Sequence, residues 1–305
     1  MHRILRHRLW VLGLLAVACQ LPPGAEGLPT RSFELEFTVV LPEAAADAVV
    51  WVPVPLEDGA QTVEILEQPA GSVISAPDRH GNRYASVTAP QATEYTWRYR
   101  VVRSTDVAGV TSGGDAAGYL GADRLVPVDG ESAARAAEAS AGARGTGAVT
   151  RALYDRVLGD MRYDKSGEGW GTGSTDWACR QGYGNCTDFH ALFISMSRSR
   201  AIPARFTIGF ALPAEGEVKG YHCWAHFWDE ARGWTPVDIS EADKDPSRTE
   251  FFYGTLDPDR VSMTVGRDLA LDPPQQAGPV NYLVRAYAEK GGKPWAVRTV
   301  VHVRG

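Results

Sequence analysis

Two stretches of strict alternation constrain this chain most. Phe33, Leu35, Phe37 and Val39 alternate with Ser32, Glu34, Glu36 and Thr38. Tyr95, Trp97, Tyr99 and Val101 alternate with Thr96, Arg98 and Arg100. Successive side chains of a strand point to opposite faces, so each stretch carries one apolar face that a second layer must cover. Shorter β-branched runs at 49–52, 62–66 and 84–88 lie between them, separated by turn chemistry such as Asp78-Arg79-His80-Gly81-Asn82. Residues 28–106 therefore read as a small antiparallel β-sandwich. It holds no catalytic constellation, which leaves it a supporting or recognition role.

Beyond residue 107 the period changes. Residues 107–147 are rich in Ala, Gly and Ser, with a short helix at 131–141 that glycines at 142–147 break. Val149, Ala152, Leu153 and Val157 share one face of a stronger helix. The glycine-rich loop at 167–173 is no phosphate cradle, because no Lys-Ser/Thr pair follows and no strand feeds it. A further helix opens at Cys186, where Cys186, Phe189, Phe193 and Met196 form one apolar stripe. Residues 205–212, 222–228 and 234–239 read as strands, the last two joined by a turn at 229–233. The fold class is α+β, with residues 107–305 forming the catalytic region and its C-terminal β extension. The formal charge of −6, from 31 Lys+Arg against 37 Asp+Glu, offers no basic field for nucleic acid.

Residues 1–27 read as an address. Arg3, Arg6 and Arg8 precede ten apolar residues at 9–18. That run is too short for a bilayer-spanning helix of about 20 residues, and it suits a signal peptide. Two exits stay open. Ala18-Cys19 resembles the lipobox of bacterial lipoproteins, with a signal ending at 18 and a lipid anchor on Cys19. Ala25-Glu26-Gly27 offers a later cleavage. The expected location is exported, either periplasmic or envelope-anchored, in an oxidising compartment.

The chemistry converges on Cys186. Unpaired N–H groups and the dipole of a helix start stabilise a thiolate there. A general base and a group that orients it are then needed, and His222, His226 and Asp238 lie downstream. His222, Trp224, His226 and Trp228 fall on one face of a strand, which separates the two imidazoles by about 13 Å at ~3.3 Å per residue. They cannot share one ion, so no metal site is expected. Cys179 could pair with Cys186, which would silence it, or with Cys223. Asp188 and His190 read as a first-turn carboxylate and a helix-face histidine. For an oxyanion the backbone N–H of Cys186 is the first donor to consider.

Three blocks carry a resemblance to the transglutaminase-like superfamily in its bacterial exported branch. They are Gly184-Asn185-Cys186-Thr187-Asp188-Phe189-His190, Tyr221-His222-Cys223-Trp224 and Gly233-Trp234-Thr235-Pro236-Val237-Asp238. The resemblance implies a papain-like core with Cys186 as nucleophile, His222 as general base and acid, and Asp238 as orienter. It favours His222 over His226, because the family's histidine lies twelve residues before the Trp of the Gly-Trp block. It also places an upstream aromatic near the site. Tyr163, Trp170 and Trp177 compete for that role, with Asn185 and Trp224 as further site-lining candidates. The implied activity cleaves or transfers amide acyl groups through a thioester, hydrolysis favoured over cross-linking, on a protein or peptide of the cell envelope, with no cofactor. The alternatives are a non-catalytic envelope protein that binds through the same groove, and an assembly factor whose β-domain binds a partner strand.

Overall fold

The computed structural model describes residues 27–111 and 115–305. The signal-peptide and Cys19 lipid-anchor readings lie outside these residues. The N-terminal third supplies β1 (Thr30–Val40), β2 (Ala48–Pro53), β3 (Gln61–Glu67), β4 (Ser72–Ile74), β5 (Tyr84–Thr88), β6 (Glu94–Ser104) and β7 (Asp106–Val107). Helices α1 (Gly130–Ala139) and α2 (Thr146–Asp160) follow, then β8 (Arg162–Tyr163), α3 (Thr175–Gln181), β9 (Tyr183–Gly184) and α4 (Cys186–Ser199). Next come β10 (Ala204–Ala211), β11 (Gly216–Glu217), β12 (His222–Asp229), β13 (Gly233–Val237) and α5 (Ile239–Lys244). The chain ends with β14 (Thr255–Leu256), β15 (Arg260–Val265), β16 (Tyr287–Lys290), β17 (Lys293–Pro294) and β18 (Arg298–Arg304).

The alternating stretches form the long pair β1–β6, with Phe37 opposite Trp97 and Leu35 opposite Tyr99. Both apolar sets are buried, as the period-two pattern requires. Two five-stranded sheets make the sandwich, in the orders β11-β18-β1-β6-β3 and β17-β16-β2-β5-β4. The sequence reading assigns the C-terminal strands to an extension of the catalytic region. Their ladders run elsewhere: β18 pairs with β1, Val301 opposite Phe37, and β16 pairs with β2. Each sheet is thus completed from the far end of the chain.

A separate antiparallel sheet, β13-β12-β10-β15, carries the second region. Its β12–β13 hairpin turns at Asp229, whose Oδ1 accepts from the N–H groups of Ala231 and Arg232. Gly233 then enters β13 at φ +77°, a conformation that suits glycine. One face of this sheet packs on α4, with the Phe227 and Phe193 rings 6.3 Å apart. The other meets the sandwich through Arg103 and Asp106.

Helix α4 is buried from Cys186 to Arg198, all round and not along one stripe. The apolar stripe faces the sheet, while α1, α2, α3 and α5 cover the remaining faces. Buried polar groups on those faces therefore need partners. Ser195 meets Ser132 of α1 at 2.7 Å, and the Arg198 guanidinium reaches Asp123 at 2.7 Å and the Ala204 carbonyl at 2.9 Å. Each fully buried Leu, Ile, Phe or Met of the helix contributes about 1.5–3 kcal/mol. The nucleophile candidate thus sits at the start of a helix that is packed on every side.

Candidate active site

Asn185 caps α4 in extended conformation, and its Oδ1 accepts from the Thr187 N–H at 2.9 Å. The Asp188 carboxylate accepts in return from the Asn185 N–H at 3.0 Å, which completes a capping box. Cys186 is the first helical residue and is 2% exposed. The cap takes up the N–H groups of Asn185, Thr187 and Asp188 and leaves that of Cys186 outside it.

His222 opens β12 and faces the Cys186 sulfur. Its Nε2 lies 2.6 Å from Oδ2 of Asp238. Asp238 is not a strand residue as the sequence suggests. β13 ends at Val237, and Asp238 caps α5, its Oδ1 accepting from the Glu241 N–H at 3.1 Å and the Ser240 hydroxyl at 2.9 Å. Val237 stands opposite Ala225, so Asp238 reaches diagonally along β12 to His222. The Arg260 guanidinium also lies 2.7 Å from Asp238 Oδ2. No local motif announced Arg260; strand β15 delivers it from the tail.

The charges follow from this packing. Burial opposes the imidazolium of His222, yet the Asp238 carboxylate outweighs it and lifts His222 to about 9. Burial likewise opposes ionisation of Cys186. Contacts with Cys223 and His222, and the positive charge of His222, nevertheless hold the thiol well below its ordinary value. Both directions favour a thiolate at Cys186 beside an imidazolium at His222.

His190 is more than a helix-face residue. Its Nδ1 donates to the Cys186 carbonyl at 2.7 Å, and its Nε2 accepts from the Ile239 N–H at 3.2 Å. Both bonds require the neutral ring, and burial pushes His190 in that direction. The ring ties the backbone of Cys186 to that of Ile239, the residue that follows Asp238.

Asp188 has a wider reach than a first-turn carboxylate. It accepts from the N–H groups of Gly171 at 2.7 Å and Gly173 at 3.0 Å, besides that of Asn185. It thereby holds the glycine-rich loop against the start of α4. A Cβ at Gly184 would overlap this carboxylate, so the glycine is sterically required. Tyr282 donates to the Gly171 carbonyl at 2.9 Å, and Arg267 donates to the carbonyls of Gly173 and Thr172 at 2.9 and 3.1 Å. Asn185 Nδ2 donates to the Tyr221 hydroxyl at 2.8 Å, so Asn185 joins the cap to the wall of the site.

The aromatic candidates separate. Tyr163 lines a cavity of about 400 Å³ together with Tyr221, His222, Glu241 and Lys244. Its backbone N–H is held by Asp243 at 2.8 Å, and the Lys244 ammonium lies 3.9 Å from its ring centroid. Trp170 gives its indole N–H to the Gly167 carbonyl at 3.0 Å and is not among the cavity residues. The Trp177 ring packs edge-on against Tyr183. Trp224 lies behind His222, ring centroids 6.2 Å apart, between the guanidiniums of Arg103 and Arg260. His226 is apart from the cysteine. Its Nε2 lies 2.9 Å from Asp106 and its Nδ1 3.3 Å from the Thr207 hydroxyl, at the contact with the sandwich. Cys179, Cys186 and Cys223 are all free thiols, so neither disulfide pairing weighed for Cys179 is present.

Several known proteins are similar to this chain. Residues 133–239 match the transglutaminase-like superfamily profile. An uncharacterized protein of Haemophilus influenzae is 27% identical over 177 residues, covering 47% of this chain and 48% of that one. The chain thus spans about half the length of this curated relative. The crystal structure of a candidate cysteine protease from Cytophaga hutchinsonii aligns over 91% of this chain and 92% of its own, with a TM-score of 0.57 at 14% identity. The periplasmic domain of TgpA from Pseudomonas aeruginosa aligns over 74% of this chain and 94% of its own, with a TM-score of 0.38 at 16% identity. Among the described residues no helix is long and apolar enough to cross a membrane.

Proposed function

We propose that the chain, whose residues 133–239 match the transglutaminase-like superfamily model, is an exported cysteine enzyme that opens amide bonds through a thioester on Cys186. The observation that carries this reading is the ordered line from the Cys186 sulfur through His222 to Asp238, with 2.6 Å between the last two. Since Nε2 of His222 is committed to Asp238, Nδ1 is left for the sulfur. The thiolate attacks a peptide or carboxamide carbonyl, and the carbonyl electrons move onto oxygen. The Cys186 N–H, outside the capping box, is the proposed oxyanion donor, with Tyr163 at the cavity wall as a second candidate. The tetrahedral intermediate collapses, the C–N bond breaks, and the His222 imidazolium protonates the leaving amine. His222, now neutral, takes a proton from the acceptor that resolves the thioester. Asp238 holds the ring's orientation throughout.

Water is the proposed acceptor and a peptide of the cell envelope the proposed substrate. The open cavity before His222 admits water, and the description of the like-folded Cytophaga protein points the same way. The test is incubation with envelope peptides, cell-wall fragments and a casein-type acceptor mixture, read by mass spectrometry beside C186A. Released amine with free acid supports hydrolysis, and an isopeptide adduct supports cross-linking. If Cys186 alkylates no faster than an ordinary thiol at neutral pH and no substrate turns over, the groove binds without reacting.

A further inference from the structure

The mechanism leaves two buried thiols unused, Cys179 and Cys223. Cys223 follows His222 on β12, but its side chain turns to the α4 face of the sheet and is 0% exposed. Its Sγ lies 3.7 Å from Nδ1 of His190, the same nitrogen that binds the Cys186 carbonyl at 2.7 Å. One imidazole nitrogen therefore meets both the Cys186 backbone and the Cys223 thiol, and the two thiols stand near enough for each to shift the other's ionisation. Cys179 stands elsewhere. It lies on α3, where its carbonyl accepts from Arg135.

We infer that Cys223 is a resolving thiol, which captures a peroxide-oxidised Cys186 as a reversible Cys186–Cys223 disulfide. This rests on the reading of Cys186 as a reactive thiolate, and it adds a protective redox function to the same site. The chemistry balances with hydrogen peroxide as the oxidant. The Cys186 thiolate attacks one peroxide oxygen, an S–O bond forms as the O–O bond breaks, and the departing oxygen takes a proton from the His222 imidazolium and leaves as water. Cys186 is now a sulfenic acid. The Cys223 sulfur attacks it, the S–S bond forms, the S–O bond breaks, and hydroxide leaves with the Cys223 proton as a second water. Two thiols have given up two electrons and two protons, and one peroxide has become two waters. An external dithiol restores both thiols by exchange.

The surroundings favour this order of events. Burial, together with the neighbouring Cys186 thiolate, pushes the Cys223 thiol well above its ordinary range. Oxidation of Cys186 removes that negative charge, so Cys223 becomes easier to ionise when it is needed. Without a resolving thiol, a sulfenic acid proceeds to sulfinic and sulfonic acids that thiols do not reverse.

The test treats the full chain with hydrogen peroxide and then dithiothreitol, in wild type and C223A, with peptide mapping under non-reducing conditions. In the wild type, the peptides bearing Cys186 and Cys223 should be linked, and dithiothreitol should restore iodoacetamide labelling of Cys186. In C223A, Cys186 should gain two or three oxygens and stay unlabelled after dithiothreitol. A link through Cys179, or irreversible oxidation of Cys186 in the wild type, overturns the inference. The readout needs no substrate, so a chain that turns over no amide but forms the link sinks the enzymatic reading alone. A chain that turns over amides but forms no link sinks only this inference.

Discussion

The Nε2 of His222 lies 2.6 Å from Oδ2 of Asp238, while four residues along the same strand the Nε2 of His226 lies 2.9 Å from Oδ2 of Asp106. Two histidine–carboxylate pairs thus share β12, and only the first faces a cysteine. Asp238 also holds Arg260 and the N–H of Glu241, so the first pair is anchored to β15 and α5 together.

The two histidines should behave differently on substitution. H222A should lower turnover by several orders of magnitude while leaving the chain folded, because triad members act as a unit. H226A should leave turnover per folded molecule near the wild-type level. It removes a hydrogen-bond partner from the buried Asp106, which keeps Arg103 at 3.6 Å, and should lower stability by about 1–3 kcal/mol. Paired turnover and thermal-melting measurements decide this; inactive but stable H226A beside active H222A would reverse the assignment.

The pH dependence follows from the ion pair. Cys186 is held well below its ordinary range and His222 is lifted to about 9, so thiolate and imidazolium coexist through neutral pH. Turnover should hold a plateau there and fall on the alkaline side through about pH 9, as His222 gives up the proton meant for the leaving amine. Alkylation of Cys186 by iodoacetamide should persist into mild acid, where Cys179, pushed up to about 11 chiefly by burial, does not label. In H222A the alkylation curve should move toward the ordinary thiol value of about 8.5. A wild-type curve already centred there would remove the ion pair.

Asp188 should matter more than its position in a first turn suggests. D188N keeps the shape but offers a weaker acceptor to the N–H groups of Gly171, Gly173 and Asn185, and loss of such charged hydrogen bonds costs about 1.5–3 kcal/mol. The expected result is a loosened 167–173 loop, seen as faster amide exchange at Gly171 and Gly173 together with a lower kcat/KM. Unchanged exchange at both glycines would separate the loop from the helix cap.

Removal of residues 285–305 should unfold the N-terminal sandwich as well as shorten the chain. β18 covers the backbone edge of β1, and β16 that of β2. The truncated chain should lose its single cooperative melt, and residues 28–106 expressed alone should not give a folded domain by circular dichroism. A cooperatively folding 28–106 fragment would show that the returning strands are dispensable.

The sequence by itself determined the elements whose pattern is local. Period-two alternation located β1 and β6, the Asp229–Gly233 turn located the β12–β13 hairpin, and the capping residues before an apolar stripe located the start of α4 with Cys186 on it. His222 and Asp238 were legible because their blocks stand in order along the chain. What tertiary structure alone decided is pairing across large sequence separations. Return of 287–304 to the first sheets, delivery of Arg260 to Asp238, the hold of Asp188 and Arg267 on the glycine loop, and the approach of Cys223 to Cys186 leave no periodic trace. Even α4, which reads as one-sided, is buried all round, because the helices that cover it come from four separate segments. Local pattern reports which way a side chain points; only the closed packing of distant segments decides what it meets.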